Sequence, residues 1–231
     1  MRRWYTQGET FKTNKFRDKK FFQKYLSGRV LDIGAGNNPV TKDAHIFDKK
    51  EGDANNILDY FDKHSFDCVY SSHCLEHIIN PYQALKEWSL LVKKGGNLII
   101  IVPHEDLYEQ HNWPSLYNKH HKHTFRVGSH PSWSPVSIDI ISLIKKLKGF
   151  SIDSVLIHDN NYNYKFLNKR KFDGNIHDTW SKIFYRFIRL LSNRKIREFF
   201  LNIHFKLGYP IDQTLWNGAL AQIEVILRKE D

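Results

Sequence analysis

Residues 29–39 read RVLDIGAGNNP, from Arg29 to Pro39, and this stretch decides the fold. A short apolar run ends in Asp32 and passes into a turn that carries Gly34 and Gly36. Glycines at such a place allow a tight turn and a close approach of backbone to a ligand. Downstream, AHIFD (44–48) reads as a second short strand and FDCVYSS (66–72) as a third. PYQALKEWSLLVKKGG follows, with Leu85, Trp88, Leu91 and Val92 at helical spacing, Pro81 near its start and Gly95-Gly96 at its end. NLIIIVP (97–103) is apolar without a break, as expected of a strand buried on both faces. Strands alternating with helical stretches imply βαβ units and a mostly parallel sheet.

The pattern extends to both flanks. Residues 16–26 place Phe21, Phe22, Tyr25 and Leu26 on one helical face, which Ser27-Gly28 ends. Residues 104–135, rich in His, Trp, Pro and Asn, read as a long ordered loop, and a loop of that length in a compact domain is usually functional. A helix is expected over 136–148, a strand near 155–158, a basic amphipathic helical stretch over 176–206 and a final strand over 219–229.

Composition narrows the classes. The chain has 231 residues, 41% hydrophobic and 14% aromatic, which excludes wholesale disorder. Its longest apolar runs, such as 98–102, are far shorter than the roughly 20 residues of a membrane span. The N-terminus shows no apolar signal region, and two cysteines, Cys68 and Cys74, make neither a disulfide framework nor a cysteine zinc site, so the cytoplasm is the expected compartment. The net charge of +10 attracts anions. It is concentrated in residues 1–29, with nine Lys/Arg against two acids, and in 160–215, with eleven against four.

The turn itself selects a ligand. A dinucleotide site would want G-x-G-x-x-G facing a pyrophosphate, but Pro39 takes the third glycine position and Asp32 stands two residues before the first. A carboxylate repels a pyrophosphate and suits a cation. S-adenosylmethionine carries a sulfonium, an ammonium and no phosphate. Asp48, at the end of the second strand, can accept both ribose hydroxyls, and Asp53, in Gly52-Asp53-Ala54, stands where an adenine edge could be read. Only sixteen residues separate Asp32 from Asp48, so the helix between them must be very short. Each aspartate alone could be a turn or cap residue; the three with the glycine turn point to a cofactor site.

LDIGAGNNP, IFD, GDANNI, FDCVYSSHCLEH and LKEWSLLVKKGGNLIIIVP together resemble the successive motifs of class I S-adenosylmethionine-dependent methyltransferases across residues 29–103. The resemblance implies a Rossmann-like, doubly wound, mostly parallel seven-stranded α/β sheet, with a helical basic insertion before the last strand. It implies one methyltransferase domain over 1–231, with an N-terminal helical extension (1–28), a His-rich active-site loop (104–135) and the insertion (160–215). The family's cofactor contacts fall on Asp32, Gly34, Gly36, Asp48, Asp53, Ala54 and Ser71. PHEDLYEQHNWPSLYNKHHKHTF and DQTLWNGALAQIEVILRK resemble a subgroup associated with bacterial surface-polysaccharide and lipopolysaccharide biosynthesis, which implies O-methylation of a sugar, with a nucleotide-sugar as the partner.

A sugar hydroxyl is a poor nucleophile and needs a general base or a metal. Six histidines lie between 104 and 130: His104, His111, His120, His121, His123 and His130. His104, His121 and His123 are the candidate bases, helped by Glu105 and Asp106; a metal on these groups ranks below a metal-free base. His77 is expected to orient its loop or pack beside the cofactor. The basic insertion has three readings: a helical lid, a phosphate clamp using Lys169, Arg170 and Lys171, or a membrane-surface contact with Phe184, Phe187, Ile188 and Leu191 opposite Lys182, Arg186, Arg189 and Arg194. Two other functions compete: an RNA methyltransferase, ranked well below because no RNA-binding module is visible, and a non-catalytic S-adenosylmethionine-binding module.

Overall fold

The computed structural model describes residues 8–216 and 218–230. Residues 1–7 of the expected extension lie outside the described residues. The main sheet has six strands: β1 (Val30–Ile33), β2 (His45–Phe47), β3 (Phe66–Ser72), β4 (Val92–Pro103), β7 (Phe150–His158) and β8 (Gln222–Lys229), in the order β2-β1-β3-β4-β8-β7. Pairs among β1, β2, β3 and β4 are parallel, whereas β8 runs antiparallel to both β4 and β7. β5 (Thr124–Arg126) and β6 (Ser137–Asp139) pair separately.

Among the described residues the expected seventh strand is absent from this sheet. A parallel neighbour outside β2 would need a crossover of a dozen or more residues on each side. The chain from β2 to β3 is too short for that, and a 3₁₀ helix, Ala54–Asp59, fills it. Nor is there a helix between Asp32 and Asp48: residues 34–44 form consecutive turns and bends.

Alternation along the strands builds two apolar layers. In β4, Leu98, Ile100 and Val102 face one layer and Ile99 and Ile101 the other. The first layer is covered by α3 (Pro81–Leu91) and α4 (Ile140–Ile144). The second is covered by α2 (Lys19–Tyr25), whose Phe21, Phe22 and Tyr25 pack there with Leu26. Asp18 caps α2 by accepting from the Phe21 N–H at 2.8 Å. The helix α3 stops at Leu91, before the Gly95-Gly96 pair expected to end it, because β4 begins at Val92. A register shift between Phe66 and Cys68 lets Phe66 and Val69 share a layer.

On the second layer the sheet also buries polar groups. Arg17 forms an ion pair with Glu224 and lies over the Phe21 ring at 4.1 Å. A buried ion pair of this kind orders the N-terminal helices against the sheet, since either partner alone would be an unpaired buried charge.

The expected 136–148 helix is a shorter α4 behind β6, and the 104–135 loop contains a π-helix, Glu105–Glu109, besides β5. Between β7 and β8 lie α5 (Thr179–Leu190), α6 (Arg194–Lys206) and α7 (Gln213–Trp216). Phe184 and Ile188 are buried there with Phe166, Leu201, Ile211 and Trp216, while Phe187 is exposed and Leu191 only half-buried. The face proposed for a membrane is therefore partly consumed by packing. Among the described residues no helix is long and apolar enough to cross a membrane.

Trp88 joins the core to the chain that follows β2. Its ring is fully buried and its Nε1–H donates to the Ala54 carbonyl at 2.9 Å. Trp88→Ala is expected to cost about 3–5 kcal/mol through the cavity. Trp88→Phe should cost less, about 1–3 kcal/mol for the unpaired carbonyl. Urea denaturation checks both values and their order.

Candidate active site

The carboxyl ends of β1 and β2 and the loop after β3 surround a cleft of about 410 Å³. Gly34, Phe47, Asp48, Asp53, Ala54, His73, Cys74, His77 and Ile78 are in its wall, together with Asn118 and His120 from the His-rich loop. A volume of this size and a wall that mixes apolar groups with a few polar ones suit a small ligand.

Gly34 sets the floor. Its φ is +81°, and a Cβ there would stand 2.7 Å from the Cys74 Cβ. Its N–H donates to the Phe47 carbonyl at 2.8 Å, which ties the end of β1 to the end of β2. Gly36 (φ +55°) turns its N–H to Asp48 Oδ2 at 2.7 Å. That bond and one from the Lys49 N–H to Oδ1 at 2.6 Å orient the Asp48 carboxylate in the cleft wall. A carboxylate retains further lone pairs beyond these two bonds, so Asp48 can still accept from ligand hydroxyls.

Asp32 and Asp53 behave differently. Asp32 is buried behind the wall; its Oδ2 accepts from the Val40 N–H at 2.6 Å, and its Oδ1 has no hydrogen-bond partner among the described residues. Burial, the main cause, pushes its carboxyl up to about 7, against the Val40 bond that stabilises the charge. An orphaned carboxylate oxygen in this position suits a cationic ligand. Asp53 caps the 3₁₀ helix, accepting from the Asn55 N–H at 2.9 Å and the Asn55 side-chain amide at 2.6 Å, and these bonds lower its pKa. Ser71 is buried and donates to the Ile33 carbonyl at 3.0 Å, a strut between β3 and β1. Of the seven expected cofactor residues, Gly34, Asp48, Asp53 and Ala54 line the cleft, and Asp32, Gly36 and Ser71 support it.

The candidate bases are dispersed. His104 caps the π-helix, its Nδ1 accepting from the Asp106 N–H at 3.1 Å, and burial lowers its pKa. The His123 Nε2 lies 3.4 Å from the Ile79 carbonyl. Neither lines the cleft. Glu105 is buried and accepts from the hydroxyls of Thr124 at 2.9 Å and Ser132 at 2.8 Å, and Asp106 accepts from the Trp133 Nε1–H at 2.7 Å. Both acids are structural anchors of the His-rich loop. His121 alone is drawn into a buried polar group: its Nδ1 is 2.6 Å from Glu109 Oε1, and its ring lies 4.9 Å from that of His77. Glu76 and Glu109 complete that group, and the sequence reading missed both. Their neighbours in sequence, LEH and LYEQ, carry no linear signal of the group.

A family model described as a methyltransferase domain matches residues 30–100. No curated protein matches the chain. A protein from Bacillus halodurans C-125, provisionally assigned as a methyltransferase, has the same fold, with a TM-score of 0.51 at 15% identity over 92% of this chain and 98% of its own. A provisionally assigned sarcosine dimethylglycine methyltransferase from Galdieria sulphuraria matches with a TM-score of 0.51 at 14% identity, over 96% of this chain and 84% of its own. At these identities the two structures establish the fold. The protein is a methyltransferase, and its cofactor is S-adenosylmethionine.

Two outcomes follow from the cleft. Gly34→Ala places a side chain at positive φ and against Cys74, and is expected to weaken S-adenosylmethionine binding at least about tenfold in calorimetry, roughly 1.4 kcal/mol or more. Folded Asp32 holds its proton more tightly than the unfolded chain does, so its share of stability falls as pH rises through about 7. Relative to wild type, Asp32→Asn should therefore gain roughly 3 kcal/mol between pH 5 and pH 8. Denaturation at the two pH values measures this; a gap that stays constant refutes it.

Proposed function

We propose that the protein methylates a hydroxyl of a sugar, carried on a nucleotide, in bacterial surface-polysaccharide or lipopolysaccharide biosynthesis in the cytoplasm. The observation that carries this reading is the group of imidazoles and carboxylates beside the cofactor cleft. His77 belongs both to the cleft wall and to the group around His121. A hydroxyl acceptor needs such proton-accepting groups, because its own proton is held too tightly for attack. When bound, S-adenosylmethionine supplies an electrophilic methyl group on a sulfonium.

The chain's residues then have defined parts. Asp48 orients the cofactor's ribose. The glycine turn lets the backbone approach it. Glu109 receives the His121 Nδ1–H, so the opposite nitrogen, Nε2, is free to accept a proton. Alignment of acceptor oxygen, methyl carbon and sulfur supplies much of the remaining rate. A cysteine nucleophile has no part in this, since burial pushes the Cys74 thiol up to about 12.

A second depression, about 270 Å³, supports a phosphorylated acceptor. Lys182, Arg186 and Arg189 of α5 line it beside Tyr185 and Trp216, whose rings stack 5.0 Å apart. Cations beside aromatic faces suit a nucleoside diphosphate. Lys169, Arg170 and Lys171 line neither this depression nor the cleft, and Lys171 pairs instead with Asp173 at 3.8 Å on the surface.

Incubation with labelled cofactor and a panel of nucleotide-sugars, followed by mass spectrometry, tests the reading. The expected result is the gain of one methyl on a sugar. Label that passes only to RNA, or to none of the sugars, refutes it. His121→Asn should lower kcat by about 10²–10⁴-fold while leaving cofactor affinity near wild type.

A further inference from the structure

Three imidazoles converge on one buried carboxylate. The Glu76 side chain is 1% exposed, and among the described residues neither of its oxygens accepts a hydrogen bond. Its backbone is held in place, because the Glu76 carbonyl accepts from the Lys122 N–H at 2.8 Å. Glu76 Oε1 lies 3.8 Å from His77 Nε2, 3.8 Å from His121 Nε2 and 3.7 Å from His73 Nδ1. These gaps are too long for hydrogen bonds.

In each ring the opposite nitrogen already faces an acceptor. His121 Nδ1 meets Glu109 Oε1 at 2.6 Å and His77 Nδ1 meets the His120 carbonyl at 3.1 Å. His73 Nε2 meets Gln222 Oε1 at 3.0 Å, and that amide is oriented by its own bond from Nε2 to Thr13 Oγ1 at 2.8 Å. A neutral imidazole carries a single N–H. With that proton turned outward, every nitrogen aimed at Glu76 presents a lone pair. The enclosed space is then lined by acceptors, and a bound cation relieves their mutual repulsion.

We propose that Glu76, His77 and His121 bind one divalent first-row transition ion. One ligand atom from each lies within 4.8 Å of the others. Ligands at about 2.0–2.2 Å around a tetrahedral ion stand roughly 3.3–3.6 Å apart, so small side-chain movements complete the site. Two imidazoles and a carboxylate suit zinc, cobalt or manganese. Glu109 serves as the outer carboxylate that fixes the His121 ring, and His73 stands next to the same oxygen as a further donor.

Three protein ligands leave a coordination position open. Because His77 also lines the cofactor cleft, that position is near the place where the methyl group is delivered. An acceptor hydroxyl bound there loses its proton to solvent more readily. The oxygen then forms its bond to the methyl carbon as the carbon–sulfur bond breaks, and the electron pair leaves on a neutral thioether. With the ion bound, His121 Nε2 serves as a ligand; without it, the same nitrogen is the proton acceptor. This use of the ion rests on the sugar-hydroxyl reading; the binding of the ion does not.

The test is cobalt(II) titration of chelator-stripped full-length protein, followed by calorimetry and visible absorption, with no acceptor present. One ion per chain is expected, with ligand-field bands in the visible. Glu76→Gln and His121→Asn should each weaken binding at least about hundredfold, Glu109→Gln about 10–100-fold, and His130→Ala not at all. Circular dichroism of the metal-free variants confirms folding, and His77→Gln replaces any that does not fold. No cobalt uptake by the wild type, or uptake unchanged by the ligand variants, overturns the proposal. Since no sugar enters the experiment, a failed methylation assay and a failed metal titration are separate results.

Discussion

Gly34 runs so close to Cys74 that no side chain fits between them, and much of the site's geometry depends on this approach. Cys74 immediately precedes the 3₁₀ turn Leu75–His77, which carries Glu76 and His77. The same glycine donates to Phe47, the last residue of β2. One backbone contact therefore brings together the ends of β1 and β2 and the loop after β3. The cleft is what remains between them. A bulkier residue at 34 would separate the cofactor wall from the polar group it serves, because positive φ and close packing are both demanded there.

The acids around the cleft have separate electrostatic roles. Asp53 uses its lone pairs on local amides and is stabilised as a charge. Asp48 is held by two backbone N–H groups with capacity to spare. Asp32 and Glu76 are buried, each with oxygen that is unpaired among the described residues, and such groups are costly unless a cation arrives. Cost of this kind is tolerated where it can be recovered on binding, which is why perturbed groups cluster at functional sites.

The positive charge is arranged differently. Among the described residues, most of the basic excess stays on the surface of the insertion and the N-terminal segment. Arg17 is one exception, drawn onto the sheet by Glu224 and the Tyr70 hydroxyl, 3.4 Å from its guanidinium. Lys12 is likewise buried, donating to the Thr214 carbonyl at 3.2 Å. These contacts join the N-terminal segment to β3, to β8 and to the chain just before β8. The net charge of +10 thus contributes partly to tertiary architecture and only partly to ligand attraction.

Local pattern sufficed for β1, β3, α2 and α3, because their apolar spacing and caps lie within a few residues of one another. It sufficed as well for the glycine turn, where the residue types reveal the backbone conformation. It did not give the strand count: an outer seventh strand depends on how much chain remains after β2, and a 3₁₀ helix occupies that length. Nor did it identify the polar group. Glu76 and Glu109 are 33 residues apart and their neighbours in sequence are ordinary, so only folding of the His-rich loop over β3 brings His121 between them. His104, adjacent to the strand end and hence conspicuous in sequence, turned its ring to its own helix instead, accepting from the Asp106 N–H, one of the donors that a helix's first turn leaves without an intrahelical partner.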